Sequence, residues 1–225
     1  MLYSAFCRLA APVLLAVSLA SCGGPATPTV ARLPHLGEPE VRAPGDTVYP
    51  QVPAFRLHDQ DGRVVTNQSV AHKVYITDFF FATCPGICPK MQSELLKVYK
   101  QYSTNPNVIF LSHTIDPDHD SLPVLRDYAR RLGVASPGSS WRFVRASRDT
   151  AYALARAYFT GAMPDQAAPG GIAHSGTFAL VDDQGHVRGL YDGLNPQQTA
   201  KLLQDLPTLL AEVKTRQTQP ATAQR

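Results

Sequence analysis

Residues 73–99 read KVYITDFFFATCPGICPKMQSELLKVY. The run up to residue 82 is almost unbroken in apolar side chains, many β-branched or aromatic, as in a central strand covered on both faces. After the cysteines, Met91, Leu95 and Val98 recur at helical spacing. Between strand and helix stand Cys84 and Cys88, three residues apart and each followed by proline. The ring of Pro89 disfavours helical dihedrals at residue 88, so the helix is expected to start at or after Cys88. Both thiols then lie at a helix amino terminus, where the macrodipole and free N–H groups favour thiolate and are expected to lower the pKa. Thiolate is the form that binds metal and attacks disulfides.

Outward from this stretch, strand and helix patterns alternate. Upstream, FRLHDQDGRVV (55–65) sets Asp61-Gly62 between two short alternating runs, the pattern of a hairpin. Downstream, NVIFLSHTID (107–116) reads as a second buried strand. SLPVLRDYARRLG reads as a helix opened by Ser121 and closed by Gly133. WRFVRAS (141–147) is a short strand followed by the helix RDTAYALARAYF, and HSGTFALVDDQGHVRGLYDG (174–193) is two strands around Asp183-Gln184-Gly185. The last helix, NPQQTAKLLQDLPTLLAEV, has Asn195 as its cap, Pro196 at its first position and Pro207 as a bend. This order describes an α/β fold of the thioredoxin type: a central mixed sheet flanked by helices, with an amino-terminal β-hairpin. In open α/β sheets the functional crevice lies beyond the carboxyl ends of the strands. Cys84, Cys88 and Asp116 all follow such ends.

The chain ends read differently. Arg8, the apolar LAAPVLLAVSLA and then Leu19-Ala20-Ser21 before Cys22 resemble a bacterial lipoprotein signal, in which Cys22 is lipidated and becomes the new terminus. Residues 1–21 are thus expected to be a signal peptide and the protein to sit, lipid-anchored, on the periplasmic face of a bacterial membrane. Residues 22–52, rich in proline and glycine with no apolar period, read as a flexible tether. The domain is expected over 53–213, and the polar tail 214–225 as disordered. A net charge of +3 with scattered lysines and arginines gives no footprint for nucleic acid. No apolar stretch reaches the roughly 18 residues that span a bilayer.

Of four cysteines, Cys7 leaves with the signal and Cys22 takes lipid, so Cys84 and Cys88 alone remain for chemistry. A loop this short constrains the unfolded chain little, so a structural staple is a poor reading. Structural zinc wants four Cys or His ligands, which these two cysteines and no nearby pair of histidines do not supply. A c-type haem needs histidine directly after the second cysteine, where Pro89 stands. Two thiolates completed by one imidazole suit copper, since sulfur selects Cu(I) and imidazole accommodates Cu(II). Seven histidines are available. His35 falls in the tether, and His58, His72 and His186 in turns or exposed strand ends, all expected to be solvated. His113 lies in an apolar strand and reads as core, and His119 lies on a polar loop. His174 follows the glycine-rich APGGIA and opens a strand, at the position where thioredoxin-like oxidoreductases set a proline against their cysteine pair. It is the candidate partner of the thiols.

With TCPGICP at 83–89, TIDPDHDSLPVLRDYARRLG at 114–133 and HSGTFALVDDQGHVRGLYDG at 174–193, the sequence resembles the Sco/SenC family of copper-binding assembly proteins over roughly residues 50 to 210. The resemblance implies one copper held by Cys84, Cys88 and His174. It also implies delivery of copper to, or thiol reduction of, the binuclear copper site of cytochrome c oxidase subunit II. Asp116 matches the family's "DP" loop and would tune the site without binding the metal; alternatively it caps its loop. One departure is Ala173, where many family members carry an acidic residue, which bears on affinity for Cu(II). Two functions follow: a membrane-tethered copper chaperone, or a periplasmic thiol-disulfide reductase in which Cys84 and Cys88 cycle between dithiol and disulfide on a partner's cysteines.

Overall fold

A computed structural model of the protein describes residues 32–136 and 138–218. In chain order the strands and helices are β1 (Glu40–Ala43), β2 (Asp46–Val48), β3 (Arg56–Asp59), β4 (Val64–Thr66), α1 (Asn67–Val70), β5 (Val74–Phe80), α2 (Cys88–Tyr102), β6 (Val108–Thr114), α3 (Leu122–Arg131), β7 (Trp141–Arg145), α4 (Arg148–Ala157), β8 (Ala162–Pro164), β9 (Ile172–His174), β10 (Thr177–Val181), β11 (Val187–Asp192) and α5 (Pro196–Thr218).

Seven strands form one sheet in the order β11-β10-β5-β6-β7-β3-β4. β5, β6 and β7 are parallel, with Ile76 opposite Phe110 and Phe110 opposite Trp141, while β10, β11, β3 and β4 run antiparallel to their neighbours. The fold is thioredoxin-like, as its sequence patterns predict. β5 and β6 are buried at every position, because helices cover both faces of this parallel core. The hairpin expected at Asp61-Gly62 joins β3 to β4. Met91, Leu95 and Val98 are all fully buried on α2. Asn195 caps α5 through its side-chain oxygen, which accepts the Gln197 N–H at 3.0 Å, and α5 continues through Pro207.

The structure departs from the tether and tail expectations. Residues 32–52 are docked on the domain rather than free. Leu33 and Leu36 pack against the core, Leu36 N–H donates to the Val187 carbonyl at 2.8 Å, and β1 and β2 pair as a small exposed hairpin. Composition hid this because two leucines and a few backbone hydrogen bonds anchor a segment that is otherwise polar and proline-rich. Lys214–Thr218, expected in a disordered tail, complete α5, and Arg216 there pairs with Glu212 and Asp183. The expected signal peptide, Cys22 and the first part of the tether lie outside the described residues.

Candidate metal centre

β5 ends at Phe80, and the chain turns through residues 81–87 before α2 begins at Cys88 itself. Pro89 falls in the first turn of α2, where its missing N–H costs no helical hydrogen bond. The loop is held from two sides. Cys84 N–H donates to the Phe81 carbonyl at 3.2 Å. Ala82 N–H donates to the Asp120 carboxylate at 3.0 and 3.3 Å, while Thr114, at the end of β6, donates its hydroxyl to the same group.

The third donor arrives from a distant part of the chain. After α4, β8 and β9 form a two-stranded flap in which Ala162 lies opposite His174. Ser175, next along, donates its hydroxyl to the Thr160 carbonyl and ties the flap down. Gly170 (φ 80°) lets the flap's turn approach Phe81, since a Cβ there would lie 2.7 Å from that ring. Phe81 in turn meets the His174 ring edge to face at 5.8 Å.

The result is a convergence of Cys84, Cys88 and His174, whose sulfur and nitrogen donors all lie within 4.8 Å of one another. Cys88 Sγ is 3.4 Å from His174 Nε2. Ligands about 2.0–2.3 Å from a common ion stand roughly 3.5 Å apart, so these donors fit a metal with little rearrangement. His174 Nδ1 lies 3.3 Å from the Ser175 carbonyl. That carbonyl accepts the Nδ1–H and leaves the Nε2 lone pair facing the sulfur. Burial, only partly offset by this bond, lowers the His174 pKa and keeps the ring in its neutral, ligating form.

The thiols differ from expectation. Cys88 is buried and its pKa is pushed up, first by desolvation and then by its hydrogen bond with Cys84. The lowering expected from the helix amino terminus is overridden, because the cost of a charge in an apolar setting exceeds what the dipole returns. Both cysteines are free thiols, Cys88 buried and Cys84 half-buried. Cys84 and His174 line an open cleft of ≈ 260 Å³ with Gly86, Ile87, Ile172 and Ala173. The site is thus reachable from the Cys84 side and closed behind Cys88.

Asp116 is buried but is not one of the three donors. Its carboxylate pairs with His119 at 2.8 Å and Arg148 at 3.4 Å. Asp120, which sequence reasoning passed over, is the carboxylate that grips the cysteine loop. A signal was available: it closes the DPDHD run at the end of a strand adjacent to β5. His113 is core as expected, fully enclosed and stacked on Phe79 at 4.8 Å. His35 and His186 are not free in solvent. His35 is half-buried and stacks on Tyr49 at 4.5 Å, and only 13% of the His186 side chain is exposed.

A family model described as SCO1/SenC matches residues 45–211. The SCO1 protein homolog of Bacillus subtilis (strain 168) is 25% identical over 158 residues, 69% of this chain and 81% of that protein. Among solved structures, BsSco, described as a member of the Sco family of cytochrome c oxidase assembly proteins, superimposes with a TM-score of 0.59 at 24% identity, covering 71% of this chain and 93% of that one. Arabidopsis thaliana ScoI with copper bound gives a TM-score of 0.57 at 21% identity, covering 69% of this chain and 97% of that one. At these identities the structural likenesses show the shared fold.

Proposed function

The chain belongs to the SCO1/SenC family, and from that premise we propose that it is a copper chaperone whose cargo is one copper ion held by Cys84, Cys88 and His174. The observation that carries this reading is the convergence of two thiols and one correctly oriented imidazole within 4.8 Å. Soft sulfur favours Cu(I), and the imidazole extends the set to Cu(II). Uptake displaces the thiol protons, and the raised pKa of buried Cys88 makes that step proton-coupled. Release begins at Cys84, the half-buried ligand on the cleft. There a thiol of the acceptor binds the cargo as the Cys84 bond to it breaks, and the acceptor's proton passes to Cys84.

The acceptor on this reading is the binuclear copper site of cytochrome c oxidase subunit II, as the family resemblance implies and as the description of BsSco supports. Lipid on Cys22 would hold the domain at the periplasmic face of the membrane and raise its effective concentration near a membrane-bound acceptor. Asp116 acts on the site through its own loop, in which Asp120 N–H donates to the Asp116 carbonyl at 2.9 Å.

The alternative is a thiol-disulfide reductase acting on partner cysteines. The adjacency of two unbridged thiols favours it, and it has no need of His174. Replacing that residue separates the two. His174→Ala in the chaperone loses tight copper binding, read by titration of the reduced protein and by the thiolate charge-transfer band, while thiol-disulfide exchange continues. Undiminished copper affinity in that variant would sink the chaperone reading.

A further inference from the structure

A second set of donors converges at the opposite end of the sheet. β10 starts at Thr177, three residues after His174, and its five residues span roughly 16 Å. The turn that follows carries Asp182 and His186. His35 reaches this turn from the docked amino-terminal segment. An imidazole nitrogen from each histidine and a carboxylate oxygen of Asp182 lie within 4.8 Å of one another.

The segment around His35 is fixed. Arg188 Nε donates to the Pro34 carbonyl at 3.0 Å, and Leu36 N–H to the Val187 carbonyl at 2.8 Å. The His35 ring is stacked on Tyr49 and meets the His186 ring nearly perpendicularly, with centroids 5.0 Å apart. Among the described residues His186 Nδ1 is buried without a hydrogen-bond partner, 3.5 Å from Asp182 Oδ1. A buried polar nitrogen left unpaired is costly, and a metal ion would satisfy it.

The surrounding charge tolerates a cation. Three carboxylates, Asp182, Asp183 and Glu212, face two guanidiniums, Arg188 and Arg216, which leaves one negative charge. Asp182 accepts from Gln184 N–H, His186 N–H and Arg188 Nη1, so about one of its four acceptor positions is left.

We infer that His35, His186 and Asp182 form a second metal site, for one divalent cation of the zinc or cupric class, which clasps the amino-terminal segment to the β10–β11 turn. Two imidazoles and one carboxylate suit such borderline ions, whereas the thiol site is built for soft copper. The bound ion would fasten the segment where it joins the domain, at the end of the sheet remote from the thiols.

The test uses the full chain with C84S/C88S, so that the thiol site contributes nothing, titrated with zinc chloride by calorimetry. One saturable equivalent is expected. H35Q and H186Q, each added to that background, should weaken it by more than about tenfold, while H58Q, on an exposed position of β3, should leave it unchanged. Circular dichroism checks the fold, and H35Q alone decides if H186Q fails to fold. Absence of saturable uptake in C84S/C88S, or uptake indifferent to H35Q, overturns the site. Cu(I) binding by H35Q under reducing conditions, with both cysteines intact, should match the unaltered protein, which keeps this outcome separate from that of the chaperone reading.

Discussion

The two ends of the central sheet are built on opposite terms. At the thiol end, one sulfur and a neutral imidazole face an open cleft with the second sulfur buried behind them, and the Asp120 carboxylate holds the loop through Ala82. At the other end Arg188 is fully enclosed, with Asp182 at 2.9 Å, Glu212 at 2.9 Å and the Pro34 carbonyl at 3.0 Å. The same two strands serve both: His174 precedes β10, and Asp182, His186 and Arg188 lie where β10 passes into β11. An end made of ion pairs closes the fold and resists change, since each buried charge depends on its partners. An end made of neutral donors can gain or lose a cation without leaving a buried charge unpaired.

The largest break in this contrast is Arg188→Met. It leaves Asp182 and Glu212 only the longer contacts to Arg216, so stability should fall by about 3–5 kcal/mol, read from the midpoint of urea unfolding, while folded molecules still bind copper. A midpoint that hardly moves would mean the ion-paired end is not what closes the domain.

A smaller effect, on the other end, is expected from Asp120→Asn. The loop before Cys84 loses two charge-assisted hydrogen bonds, from Ala82 and Thr114. Copper affinity should drop about 10- to 100-fold, with a stability loss of about 1–3 kcal/mol. Asp116→Asn should cost less affinity, because Asp116 contacts His119 and Arg148 rather than the loop. The reverse order would move the positioning role from Asp120 to Asp116.

A further effect, read as a pH profile, sharpens the comparison from the middle of the sheet, where Asp78 and His113 sit on adjacent strands. Burial pushes Asp78 up to about 7 from its ordinary 3.8, against the bonds from Ser112 and Gln92. The fold therefore keeps a proton that the unfolded chain has released, and this contribution to stability is lost as pH rises from about 4 to about 7. Burial pushes His113 down to about 3 from 6.5. There the unfolded chain gains the proton, and stability is lost as pH falls from about 6.5 to 3. Between pH 4 and 6.5 the two nearly cancel. Asp78→Asn removes the first, so stability should then climb with pH across that window by up to about 1.4 kcal/mol per unit. A slope in this window that is the same with and without Asp78 would show that Asp78 is ionised in the fold throughout.

Much of the fold was legible in local pattern. The run before Cys84 became β5, Asp61-Gly62 became a turn, and Met91, Leu95 and Val98 became the buried face of α2. His174 was legible too, since a glycine-rich stretch before a strand marks it. The docked segment at 32–52 was not, because its anchorage is a guanidinium reaching two backbone carbonyls, which leaves no period in the sequence. Nor was the protonation of Cys88. Helix position argued for thiolate, and only the packing around the sulfur reversed the sign.

By itself, then, the sequence determined the alternation of strands and helices, the thiol pair at a strand end and the histidine that opens the stretch before β10, since apolar period and turn chemistry act over a few residues. Tertiary structure alone decided that Cys88 and His174, 86 positions apart, stand 3.4 Å from one another. It alone decided that Asp120 rather than Asp116 grips the loop, and that His35 meets His186. Those are properties of where separate elements pack, and burial there sets the energy of every charge and every unpaired donor.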